Sequence, residues 1–251
     1  MQLDNRKDEI EKKIQKYYAM FKEIYTEKHY LEWFEFYKNY NKKFGNEGYS
    51  DDEHELGHYA ILQNPIPRKP KIVLVGKNNS WFDEGNMEKS LKIVKSLKHG
   101  IPTENYLTKE TSRYSKQLCE IFKEPLLRKL FEENTVGMNR IWLQTGPSPE
   151  NIKKMKQYDQ EPPLGERFLD TSLIQRCHNW TEEIIRDINP EVVILFGRDS
   201  DSNCSWKLFN GKEDGESFVI KHCNHPGNRM RDGKDKVRGQ IKEGLAGLLN
   251  E

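Results

Sequence analysis

Four short apolar runs, each closed by glycine or a polar turn, set the limits on what this chain can fold into. Lys71-Ile-Val-Leu-Val75 stops at Gly76, and Arg140-Ile-Trp-Leu143 leads into Gln-Thr-Gly. Val192-Val-Ile-Leu-Phe196 stops at Gly197, and Ser217-Phe-Val-Ile-Lys221 runs into CNHPGNR. Runs this short and this apolar read as buried strands. Helical periodicity fills the stretches around 86–98 and 112–132 and from Leu173 to Ile188, the last ended by Asn189-Pro190. Strands alternating with long helices pair in parallel, because each return crossover lays a helix on one face. The expectation is an α/β chain: a three-layer α/β/α fold on a central four-stranded parallel sheet. Ligands of such sheets bind beyond the carboxyl ends of the strands. That rule singles out GKNNSW, QTGPS, GRDSDS and CNHPGNR.

Upstream, Ile10, Ile14, Tyr17, Phe21 and Ile24 form a helical stripe, followed by the aromatic-dense HYLEWFEFYKNY. Two amphipathic helices fit residues 4 to 43. Their nearly balanced charge favours an arm that packs its stripe on the body over a binding surface. The turn-rich NEGYSDD closes this region, giving an N-terminal helical arm over 1–50 and the α/β/α domain over 51–251.

At 251 residues a sizeable core is available, although only 35% of residues are hydrophobic and 32% are charged. A formal net charge of +1 marks neither a nucleic-acid protein nor an enzyme of acidic substrates, so local charge must carry any such argument. Cys119, Cys177, Cys204 and Cys223 form no CxxC pair, which disfavours a zinc ribbon, a thioredoxin-type site or an iron–sulfur cluster. No apolar run reaches the ~18 residues of a membrane span, and MQLDNRKDEIEKK lacks the apolar stretch of a signal peptide. The expectation is a cytoplasmic, monomeric protein, nucleoid-associated if prokaryotic, with reduced thiols and no membrane partner.

The motif that stands out at first sight is HELGH. His54 and His58 lie four residues apart with Glu55 between them, which is the spacing of a zinc-peptidase helix. Its context argues otherwise. The motif follows SDDE at a helix start, and Asn64-Pro65 breaks that helix soon after. A zinc site also needs a third protein ligand, and the sequence singles none out. The plainer reading is a short helix whose acidic first turn suits its dipole.

VLVGKNNSWF after the first strand and CNHPGNR after the last together resemble the uracil-DNA glycosylase superfamily. Gly76-Lys77-Asn78-Asn79-Ser80 is most similar to the GMNPG of its single-strand-selective branch, and His225-Pro226-Gly227 to the family's HPS. CHNWTEEIIRDINPEVVILFG also resembles the family's segment before the third strand. The likeness spans Pro67 to about Leu249, outside the N-terminal arm.

The resemblance implies a metal-independent, cofactor-free hydrolase that excises uracil or a related modified pyrimidine from single- or double-stranded DNA. Breaking the glycosidic bond builds positive charge on the sugar and negative charge on the base. Asn78 would hold the attacking water, and His225 would donate a hydrogen bond to the pyrimidine O2. The turn containing Gly76, Lys77 and Ser80 would help to recognise the base through its backbone. Gln144 stands where the family reads the base edge with asparagine, and Ser80 where some branches carry an excluding tyrosine. Trp81 or Phe82 would stack on the base. Arg229, four residues after His225, matches the wedge residue that fills the gap of a flipped base, with Met230 beside it. Seven Lys/Arg against two Asp lie between Lys221 and Lys242, where phosphates would run, although a solvated basic helix face reads equally well.

The chain also departs from the family. Asn79 replaces the proline after the water-holding position, and HPS has become HPG. A nucleic-acid-binding member of the same fold, altered or inactive in catalysis, therefore stays open, as does the HExxH metallopeptidase.

Overall fold

The computed structural model describes residues 2–28, 61–79, 97–98, 100–109, 113–144, 171–197, 208–209, 217–224, 226 and 233–249. Helix α1 spans Gln2–Lys28, and strand β1 spans Ile72–Asn79. A small antiparallel ladder follows, β2 (Leu97–Lys98) against β3 (Ile101–Pro102). Helices α2 (Arg113–Ile121) and α3 (Pro125–Glu133) lead to β4 (Thr135–Gln144). Helix α4 (Thr171–Ile188), β5 (Val192–Phe196), β6 (Val219–Cys223), α5 (Gly233–Gly244) and α6 (Ala246–Leu249) complete the order.

Strands β4, β1, β5 and β6 lie side by side in that order, every pair parallel, as the alternation of runs and helices requires. Period-two alternation sends Val73, Val75, Val136, Met138, Val193, Leu195 and Ile220 to one face, where they pack with α1 and α4. Ile72, Leu74, Val192, Ile194, Phe196 and Cys223 go to the other, with α2, α3, α5 and α6. The result is a three-layer α/β/α fold with two separate cores. The faces follow from handedness. The chain steps from β1 outward to β4 through α2 and α3, then back across to β5 through α4, so right-handed crossovers must change face.

The stripe on α1 is a core element of its layer. Ile10, Ile14, Tyr17 and Phe21 are buried. Tyr17 stacks on Trp180 at a ring separation of 5.2 Å, Trp180 on Trp142 at 5.3 Å, and Phe21 tilts onto Trp142 at 5.6 Å. The buried indole N–H of Trp142 donates to Thr181 Oγ1 at 3.1 Å. Polar contacts hold the rim: Lys13 bonds the Asp187 carboxylate, the Tyr17 hydroxyl bonds Glu183, and Arg6 donates to the Asp187 carbonyl.

The outer margin of β4 is closed by residues 61–64. Leu62 bridges Met138 in antiparallel sense, with Gln63 N donating to Gly137 O and Asn139 N to Ile61 O. The Asn64 amide finishes the edge, donating to Thr135 O at 2.8 Å and accepting from Gly137 N at 2.7 Å. A side chain thus imitates a paired strand where Pro65 could not.

Three boundaries differ from expectation. β1 continues past Gly76 to Asn79, because β4 keeps pairing with it after β5 has stopped. The stretch expected as one helix over 112–132 is two, since Pro125 opens α3 after a break. Leu97 and Lys98, expected in a helix, pair as a strand with Ile101–Pro102. The segment HYLEWFEFYKNY, the helix expected around HELGH and the stretch 86–96 lie outside the described residues.

Candidate functional site at the carboxyl edge of the sheet

β1 sends its chain to β4 on one side, whereas β5 continues to β6 on the other, so the switch point, where sheets of this kind bind ligands, falls between the ends of β1 and β5. Gly197 closes β5 at φ 96°, a conformation that favours glycine, and donates its N–H to Cys223 O at 2.9 Å. Beside it β6 ends at Cys223; the N–H of the next residue, Asn224, donates to Gln240 Oε1 at 3.0 Å, and Pro226 is buried. β1 and β6 are separated only by β5, roughly 10 Å at the usual strand spacing. The two motifs therefore leave the same edge of one sheet, on either side of a single strand.

The described part of the first motif is Gly76 to Asn79. Gly76 is buried and pairs with Asn139 across the β1–β4 ladder; Asn78 pairs with Ile141 and Asn79 with Gln144. Between Asn78 and Asn79 the register jumps, one step on β1 answering three on β4. Such an irregularity at a strand end re-aims the residues that follow. Gln144 is the last residue of β4. The side chains of Lys77, Asn78, Asn79 and Gln144 lie outside the described residues, as do all of Ser80, Trp81, Phe82, His225, Arg229 and Met230. So do His54, Glu55 and His58 and the loops QTGPS and GRDSDS. Among the described residues, no group of His, Cys, Asp and Glu could hold a metal ion.

Behind the site lie residues that sequence reasoning did not single out. Gln63 Nε2 donates to Asn139 Oδ1 at 2.8 Å, a pair of amides backing Gly76. On the opposite face of β4, Arg140 is 1% exposed and meets the buried His178 at 2.6 Å between Nη1 and Nε2. A guanidinium only donates, so Nε2 must be the bare, accepting nitrogen of the imidazole. Burial pushes the neighbouring Cys177 thiol up to about 12, the charge of Arg140 and hydrogen bonding pulling weakly the other way. Their signal in sequence is thin: a polar residue inside an apolar run, Asn139-Arg140, and an i, i+1 pair Cys177-His178 on an amphipathic helix.

The basic tract after β6 is partly spent inside the molecule. Arg238 donates to Ile121 O at 3.1 Å and Glu120 O at 2.9 Å, at the carboxyl end of α2, and Lys242 pairs with Glu124 at 2.6 Å. Lys234 and Lys236, on the first turn of α5, are exposed.

No family model matches the chain, and neither does any curated protein sequence.

Proposed function

We propose that this protein is a DNA glycosylase-type hydrolase of uracil or a related modified pyrimidine. The observation that carries this reading is the common edge of the sheet from which GKNNS and CNHPG both leave, flanking β5. A nucleotide at that edge would have Asn78 on one side and His225 on the other. Asn78 holds a water near the sugar C1′, and the C1′–N1 bond breaks with its electron pair leaving on the base. His225 donates a hydrogen bond to the O2 of the departing anion, the water oxygen bonds to C1′, and its proton passes to solvent. An amide is a poor base, so much of the rate comes from stabilising the leaving group. Gln144 reads the base edge, Arg229 fills the emptied stack, and Lys234 and Lys236 lie on the side where phosphates would run.

The test is cleavage of single- and double-stranded oligonucleotides carrying one uracil, with alkali to break abasic sites, with and without chelator. Chelator-resistant cleavage that is lost in Asn78→Ala and in His225→Ala is the expected result. Activity that survives both changes overturns the site. A second reading, binding without hydrolysis, is favoured by Asn79, which stands in place of the family's proline and continues the ladder to Gln144. It predicts retention of uracil-containing strands with no abasic product. Zinc measured in the same sample decides whether HELGH is more than a coincidence of spacing.

A further inference from the structure

The end of the molecule opposite this edge carries a groove of about 250 Å³ between α1, the segment preceding β1 and the turn from α4 into β5. Ile10, Ile66 and Ile188, each 5% exposed or less, make its floor, and Pro67 and Pro70 stiffen one wall. Arg6, Arg68 and Lys69 stand exposed around the rim.

Part of the charge there is fixed in place. Lys71 meets Glu191 at 3.1 Å and Lys7 meets Glu11 at 3.6 Å. Arg6 is pinned through Nε and Nη2, at 3.2 and 2.9 Å, to the carbonyl of Asp187, a neutral acceptor, while the Asp187 carboxylate is taken by Lys13. A held guanidinium loses little entropy on meeting an anion. Among the described residues no aromatic side chain lines the groove, so these offer no stacking platform for bases. A greasy floor under a cationic rim instead suits a chain that alternates apolar and acidic side chains.

We propose that this groove docks an acidic peptide segment of a partner protein, apolar side chains on the isoleucine floor and carboxylates on Arg6, Arg68 and Lys69. The surface is separate from the proposed catalytic edge and does not depend on it.

Fluorescence anisotropy of the full chain with a short labelled peptide alternating Glu and Leu tests this. A Lys–Leu peptide and a single-stranded oligonucleotide of matched charge serve as competitors. The Glu–Leu peptide should bind at low salt, and the Arg68→Glu/Lys69→Glu variant should weaken it by about tenfold or more. The milder Lys69→Gln change should weaken it in the same direction, with unchanged thermal melting. Displacement of the peptide by the oligonucleotide, with oligonucleotide affinity falling in the same variants, would reassign the groove to nucleic acid and overturn the proposal. So would absence of Glu–Leu binding, or binding indifferent to charge reversal.

Discussion

Gly76 of β1 faces Asn139 of β4, and a methyl group added at Gly76 would come no closer than 3.7 Å to the Asn139 side-chain oxygen. The fold therefore has room for alanine there. Gly76→Ala should leave the unfolding free energy, read from urea denaturation, within about 1 kcal/mol of the parent. If the backbone of this turn recognises a base, the same change should still cut uracil excision severely. A stable variant that excises uracil at the parent's rate would deny the glycine any role in recognition.

Gly137, two residues upstream on β4, is the opposite case. Its added methyl would lie 2.8 Å from Leu107 Cδ2 and 2.9 Å from Gln63 Oε1, both held in packed surroundings. Gly137→Ala should destabilise by about 1–3 kcal/mol, read from the same denaturation curves.

Asn64 substitutes for a strand along the margin of β4. Asn64→Leu strips Thr135 O and Gly137 N of their partners together, at a cost of about 2–4 kcal/mol. Amide exchange at Gly137 should accelerate by the corresponding factor, whereas exchange at Leu195, in the middle of the sheet, should follow global unfolding only.

His178 shields a buried cation. His178→Phe keeps the volume but removes an acceptor from Arg140, and should cost about 2–3 kcal/mol. His178→Gln, which restores an acceptor, should recover part of that loss. Equal melting temperatures for the two variants would show that packing alone matters at this position.

Cys177 gives the fold an alkaline limit. Its folded thiol is raised from an ordinary 9.0 to about 12 by burial. The unfolded chain therefore releases this proton first. Its contribution to stability is complete below about pH 9 and is lost between 9 and 12, at about 1.4 kcal/mol per pH unit. Burial raises the hydroxyl of Tyr114 in the same sense. Cys177→Ala should flatten the decline of stability with pH by one proton, whatever it does to stability at neutrality.

What the sequence made legible follows from how local each signal is. β5 could be read to the residue because Asn189-Pro190 ends the helix before it, Gly197 closes it and every residue from Val192 to Phe196 is apolar and buried. β4 was read only from Arg140 to Leu143 because Gly137, Asn139 and Arg140 break its apolar pattern. Each of those breaks answers a distant partner: Leu107 and Gln63 crowd Gly137, Gln63 bonds Asn139, and His178 meets Arg140. Nothing local to the strand announces such partners. In the site, the position of Gly76 to Asn78 at a strand end was legible from the apolar run alone. The amides behind Gly76 were not, because Gln63 lies on the other side of a proline-rich turn.

The contact of α1 with α4 also sets a schedule for the newly made chain. Arg6, Lys13 and Tyr17 find Asp187 and Glu183 more than 160 residues later. At roughly 5–20 residues per second of synthesis, the stripe of Ile10, Ile14, Tyr17 and Phe21 waits about ten to thirty seconds for the surface it will cover. During translation α1 is thus left with its greasy side bare until α4 has been made, an interval in which a chaperone would find it.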